Sequence, residues 1–203
     1  MFKKVISLSL GILVLMVFYS NLSWAEEATQ IAEAKTGWGI GVHGGYFGVP
    51  NFVLDNIFEE HPSVSGTTLG LEARYYGRAD KVFNLSLSLD YGTFSSDGYW
   101  KKEAADKRKY GKIDGSLASL TATAIWNMLP SKTVNPYLGI GLGVGQLKGT
   151  GKSEGEEENV SATVPVLHIP VGINIRPSDS FHIDIEGGFR DGIYGTGGIR
   201  ILF

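Results

Sequence analysis

The last eleven residues of the chain alternate in kind. Ile193, Gly195, Gly197, Ile199, Ile201 and Phe203 fall on one face of an extended segment; Tyr194, Thr196, Gly198, Arg200 and Leu202 fall on the other. A period of two is the signature of a β-strand. A soluble protein rarely ends on such a strand with an aromatic left outside. The pattern suits a strand that closes a barrel in a lipid bilayer, with one face toward lipid and one toward the lumen.

The other terminus fits an envelope destination. Lys3 and Lys4 form a basic start, Val5 to Tyr19 an apolar core, and Ser23-Trp24-Ala25 a small-x-small cleavage site. The expectation is a signal peptide over 1–25, removed after Ala25, then a periplasmic segment over 26–37 and a barrel domain over 38–203. Of the 18 basic residues Lys3 and Lys4 would leave with the signal, so 16 remain against 21 acidic ones and the net charge moves from -3 to -5. That balance gives no reason to expect a nucleic-acid partner. There are no cysteines, so disulfides, thiol chemistry and a lipidated N-terminal cysteine are all excluded. No later apolar run reaches the roughly 20 residues of a helical span. A membrane protein made from the remainder must be a closed barrel, the other structure that satisfies every backbone group in lipid.

Seven further alternating segments precede the terminal one: Trp38 to Phe47, Thr67 to Tyr76, Val82 to Phe94, Ser116 to Asn127, Pro136 to Leu147, Ala162 to Arg176 and Phe181 to Arg190. The third is the clearest, with Phe83, Leu85, Leu87, Leu89 and Tyr91 opposite Asn84, Ser86, Ser88, Asp90 and Gly92. Short connections at Gly77 to Asp80, Met128 to Asn135 and Pro177 to Ser180 read as periplasmic turns. Long polar connections over 48–66, 95–112 and 148–161 read as external loops, and the fourth, at Asp191-Gly192, is short. Trp38, Tyr75, Phe83, Trp126, Phe181 and Phe203 would form an inner aromatic girdle, with Tyr46 and Tyr91 near the outer interface. A soluble sandwich or lipocalin-like barrel would turn its aliphatic face inward and leave glycines and serines outside. The expected fold is therefore all-β: an eight-stranded antiparallel up-and-down transmembrane β-barrel in the bacterial outer membrane.

Asn135-Pro136-Tyr137-Leu138-Gly139-Ile140-Gly141-Leu142-Gly143-Val144-Gly145 resembles the "PYLGxGxGxG" strand of small Gram-negative outer-membrane barrels of the OmpA, OmpW and OmpX kind. The segment ending at Glu186-Gly187-Gly188-Phe189-Arg190 is similar to the same pattern. The resemblance implies fold and location; the family is functionally mixed. It also implies Gram-negative assembly, with Phe203 as the contact for the barrel-assembly machinery, and it allows a channel for small solutes or small hydrophobic molecules.

Inward parity collects Glu72, Arg74, Asp90, His168, His182, Asp184, Glu186, Arg190 and Arg200, and eight strands leave an interior just wide enough for side chains. Such charges must be paired to persist away from water, so a lumenal salt-bridge network is expected. Exchange of those pairs in a narrow ion path is the other reading. Catalysis is not expected: a hydroxyl nucleophile, a His base and an orienting carboxylate are needed together, and the deacylase signature, a His followed two residues later by Ser-Asn, is absent at His43, His168 and His182. In the first loop, Phe52, Val53, Ile57 and Phe58 recur at near-helical spacing after Pro50, which predicts a small helical lid or an apolar contact surface. The second loop carries Tyr99, Trp100, Lys101, Lys102, Lys107, Arg108 and Lys109; the third carries Glu154, Glu156, Glu157 and Glu158. Phe52, Phe58, Trp100, Lys101, Lys102 and Arg108 are the candidate surface contacts, facing lipopolysaccharide phosphates or external partners. The acidic loop lacks calcium-loop spacing, so neither a metal nor a cofactor is expected. The overall expectation is a structural or surface-interaction protein that is not an enzyme.

Overall fold

The computed structural model describes residues 37–56, 58–77, 82–102, 109–130, 132–153, 156–190 and 192–203. The signal segment, Ile57, Lys107, Arg108 and Glu154 lie outside the described residues, as do the side chains of Phe52, Val53 and Lys102. Nine strands are described: β1 (Gly37–Gly48), β2 (Phe58–Glu60), β3 (Ser65–Tyr76), β4 (Phe83–Lys102), β5 (Lys109–Asn127), β6 (Val134–Ser153), β7 (Glu156–Ile175), β8 (Phe181–Arg190) and β9 (Ile193–Leu202). A four-residue helix, α1 (Asn51–Leu54), follows β1.

Every neighbouring pair is antiparallel, and β1 pairs with both β3 and β9 while β4 pairs with β5, so eight strands close into a ring. Register fixes its girth. Partners can be followed from Glu186 through Thr196, Gly45, Thr68, Gly92, Leu117, Leu147 and Ala162. Extending the β7–β8 register from there returns to the starting strand about ten residues on. Eight strands with that stagger tilt by roughly 40° and enclose a space the width of packed side chains.

Strand length divides the barrel. β8 and β9 have 10 residues each and β1 and β3 have 12. Ten residues at ~3.3 Å, tilted, just cross an apolar band about 25 Å tall. β4, β6 and β7 have 20 and β5 has 19, about twice what the band needs. Their far halves stand above the membrane as a wall on one side only. The stretches 95–112 and 148–161, expected as loops, are therefore mostly strand.

The reason the sequence pattern concealed them is a reversal of polarity. Inside the band, Leu85, Leu87, Leu89, Leu142 and Ile140 are exposed outward while Ser86, Ser88, Thr121 and Thr123 are buried inward. Above it, the outward parity carries Ser95, Asp97, Lys112, Asp114, Lys148, Lys152 and Asn159, and the inward parity carries Phe94, Ile113, Leu117, Leu147, Ala162 and Val164. Water replaces lipid outside, so the apolar face must turn to the concave side. Phe47 and Phe94 meet edge-on there at 6.3 Å.

The first loop is helical only over Asn51–Leu54, after Pro50, a shorter helix than its spacing predicted. After α1 the chain returns as β2, where Phe58 and Glu60 register with Lys102 and Lys101 of β4, so the wall gains a short fifth strand. Leu54 and Val64 are buried beneath this connection. At the opposite rim, Trp38 packs on Tyr75 at 5.3 Å and Phe83 on Trp126 at 5.6 Å, both pairs directly opposite in register. The Phe203 N–H donates to the Trp38 carbonyl at 3.0 Å and carries the seam past β9.

Candidate functional site

The structure places Glu72, Arg74, Asp90, His168, His182, Asp184, Glu186, Arg190 and Arg200 in the lumen, in two linked tiers. The tier nearer the rim of Trp38 and Phe203 is built on Arg200 of β9. Its guanidinium donates to Glu72 Oε2 at 2.6 Å, lies 3.0 Å from Asp184 Oδ2, and donates to the Tyr76 hydroxyl at 2.8 Å. Arg74 donates to Glu72 Oε1 at 2.8 Å, and Ser86 donates to the same oxygen. Asn174 donates to Asp184 at 3.0 Å, and His182 stands edge-on to Tyr76. Both arginine side chains are 2% exposed, so their charge is held by these carboxylates and not by bulk water.

The second tier sits nearer the barrel middle. Asp90 takes an ion pair from Arg190 and lies 2.6 Å from His43 Nε2. Glu186 accepts hydroxyl hydrogen bonds from Tyr137 at 2.8 Å and Tyr194 at 2.7 Å. His168 lies between Thr123 Oγ1 and the Tyr194 hydroxyl, each 2.8 Å from a ring nitrogen. The tiers are joined where the Arg74 guanidinium lies 5.2 Å over the Tyr137 ring.

Small residues make the crowding possible. A methyl on Gly172 would come within 2.5 Å of the Tyr137 ring, and one on Gly70 would strike His43 and Asp90. The inward glycines of β6 accommodate β5: Gly141 and Gly143 lie against Thr123 and Thr121. Between the tiers is a void of ≈ 20 Å³ bordered by Glu72, Arg74, Glu186 and Arg200. A second, of ≈ 30 Å³, lies above Asp90 and Arg190 under Phe47, Leu117 and Tyr194. Each has room for a water or two and nothing larger.

His43, Tyr76, Tyr137 and Tyr194 complete the network and were not among the expected members. Their inward parity was readable; tyrosines suggest an interfacial belt, which drew attention away from the lumen. Thr123 and His168 have the spacing of a hydroxyl–base pair, with Glu186 3.6 Å from the same imidazole. The adjoining void, of ≈ 20 Å³, is too small for an acyl group. Among the described residues no group of three or more His, Asp or Glu side chains could hold a metal ion.

Of the candidate surface residues, Phe58 packs edge-on to Trp100 at 5.0 Å, and the Trp100 indole nitrogen is buried. Lys101 pairs with Glu59 at 2.5 Å. Lys152 pairs with Glu157 at 3.1 Å across its own hairpin and Lys112 with Asp114 at 3.0 Å. Tyr99 and Tyr110 stack edge-on at 5.4 Å on the outer face.

A closed ring that is apolar outside and ion-paired inside defines an integral membrane β-barrel. The chain belongs to the outer membrane protein beta-barrel domain family, whose profile matches residues 11–198, and its place is the bacterial outer membrane. No curated protein is a match for the chain. Among solved structures, OprG of Pseudomonas aeruginosa is similar at 13% identity and a TM-score of 0.51, over 85% of this chain and 96% of that one. Neisserial surface protein A gives 16%, 0.48, 82% and 96%. Ail, the attachment invasion locus protein of Yersinia pestis, solved with the heparin analogue sucrose octasulfate, gives 19%, 0.48, 83% and 100%. At such identities the likeness concerns fold.

Proposed function

We propose that this protein is a sealed barrel that works through the wall it raises above the membrane, where it meets lipopolysaccharide and external partners. The observation that carries this reading is the lumen: two tiers of ion pairs cross it and leave voids of ≈ 20 and ≈ 30 Å³. A solute path would require several buried pairs to separate together, each separation leaving an uncompensated charge. Above the band, Lys112, Lys148 and Lys152 face outward at the level of lipopolysaccharide phosphates, which attract cations over about 10 Å. In this reading Phe203 at the seam is the point of contact with the assembly machinery.

The test is conductance of the refolded protein in planar bilayers. The expected outcome is a quiet membrane with no discrete channel events. Steady openings would favour the second reading, passage of small solutes or small hydrophobic molecules. The apolar concave face around Phe47, Phe94 and Leu117 favours that second reading, since it would give an apolar solute a foothold above the ion pairs.

A further inference from the structure

β7 is twenty residues long, but β8 meets only its lower part: the pairing runs from Ile175 with Ile183 up to His168 with Arg190 and stops. Above His168, β7 is bonded to β6 alone, as far as Glu156 opposite Ser153, and no other described strand adjoins it. Along this open edge the chain reads Glu157-Glu158-Asn159-Val160-Ser161. An asparagine followed two residues later by serine, with no proline between, is the acceptor triplet for N-linked sugar in exported proteins. The bacterial form of the motif adds an acid two residues before the asparagine, and Glu157 holds that place.

The strand presents the three residues of the motif together. A period of two sets Glu157, Asn159 and Ser161 on one face at steps of about 7 Å, and all three are exposed. Their neighbours on β6 share that convex face. Lys152 pairs with Glu157 at 3.1 Å, Thr150 donates to Asn159 Oδ1 at 2.8 Å, and Gln146 donates to the Ser161 hydroxyl at 3.0 Å. The Arg176 N–H donates to the Thr133 carbonyl, and the β6–β7 register is constant up the strand. Even-numbered residues of β7 therefore bond to β6, and odd-numbered ones turn their main chain to the open side. Asn159 is odd. Its carboxamide oxygen is held toward β6, while its amide nitrogen has no partner among the described residues.

Two other Asn-x-Ser triplets occur, and each lacks a requirement. Asn84-Leu85-Ser86 has Val82 where the acid belongs, and Asn84 is 1% exposed in a lumen whose voids are too small for a sugar. Asn21-Leu22-Ser23 has Tyr19 at that place and falls in the expected signal peptide.

We propose that Asn159 is an N-glycosylation site, loaded in the periplasm before β7 pairs. The donor is an oligosaccharide carried on a polyprenyl pyrophosphate, and the catalyst is an oligosaccharyltransferase. The Asn159 Nδ2 attacks the anomeric carbon of the donor. An N–C bond forms as the bond from that carbon to the pyrophosphate oxygen breaks. The nitrogen gives up one proton, and the polyprenyl pyrophosphate leaves with the bonding electrons. After insertion the sugar stands on the convex face of the wall, outside both the apolar band and the lumen. It also covers a bare edge. Residues 159–163 carry no charge and no proline, the usual protections of an exposed strand, and a bulky hydrated group supplies what they lack.

The test is mass spectrometry of the full protein purified from the outer membranes of the cells that make it. Trypsin releases residues 153–176, which contain Asn159 and no other Asn-x-Ser or Asn-x-Thr. Fragmentation that spares sugar bonds should place an oligosaccharide on Asn159, and the peptide that carries Asn84 should be bare. Glu157→Gln keeps the side chain's size and removes the acid, so it should lower occupancy at least tenfold; Ser161→Ala should do the same. Asn159→Gln should abolish the modification and, because the residue faces water, leave the urea midpoint of the refolded barrel unchanged. A bare Asn159 in the native protein overturns the proposal. Undiminished occupancy in Glu157→Gln overturns it too, since the sugar would then be attached without reading this motif, as does a sugar on Asn84. None of these outcomes involves conductance, so a channel could be found with the glycan in place, and the reverse.

Discussion

Arg200 joins β9 to β3 and β8 across the interior. It is 2% exposed, reaches carboxylates on β3 and β8, and donates to Tyr76. Replacing it by methionine keeps much of the volume and leaves Glu72 and Asp184 to share Arg74, a loss of about 3–5 kcal/mol in urea unfolding from lipid vesicles. Arg74→Ala should fall in the same range. Lys101→Ala should cost no more than about 1 kcal/mol, because Glu59, its partner, is half exposed. Equal stability of all three variants would show a lumen wet enough to screen its charges. At this scale the sequence was legible wherever parity could be counted: Glu72, Arg74, Asp184, Glu186 and Arg200 follow from alternation alone. Which acid meets which base was not legible. It depends on the stagger between strands as distant in sequence as β3 and β9, and no local pattern records that.

Among elements, the upper halves of β4 to β7 were the hardest to see. Apolar residues on the outward parity mark a strand in lipid, and that signal vanishes where lipid gives way to water. Ser95, Asp97, Lys112 and Lys152 then look like loop residues, although Phe94, Ile113, Leu117 and Leu147 keep a period of two on the other face. The reversal can be tested by one substitution on each side of the boundary. Leu87→Arg places a charge on the lipid face within the band and should destabilise by about 2–4 kcal/mol, while Ser95→Arg on the same strand and parity should change stability by less than about 0.5 kcal/mol. Urea titration of the two variants decides it; similar losses would mean that the bilayer reaches the wall. Hydrogen exchange should also alternate along upper β7: fast at Asn159, Ser161 and Thr163, slower at Val160, Ala162 and Val164. Uniform protection would mean that the edge is already covered.

On the scale of the whole barrel, strands of two lengths in one ring give a lopsided cylinder. Its terminal strand, its alternation and its count of eight were all readable, because lipid demands the same pattern of every strand that crosses it. The raised wall was not, because the demand ends at the headgroups. The closing seam has a bearing on how such a chain can enter a membrane. Glu72 and Asp184 are in place once β3 and β8 are, yet the arginine that lies between them arrives on β9, the last strand to be made. Until that strand docks, the two carboxylates share Arg74 alone, and insertion would carry an unbalanced negative charge into oil. Closure must therefore wait for β9, and a nascent polypeptide cut short before Arg200 should stall at the bilayer instead of entering it.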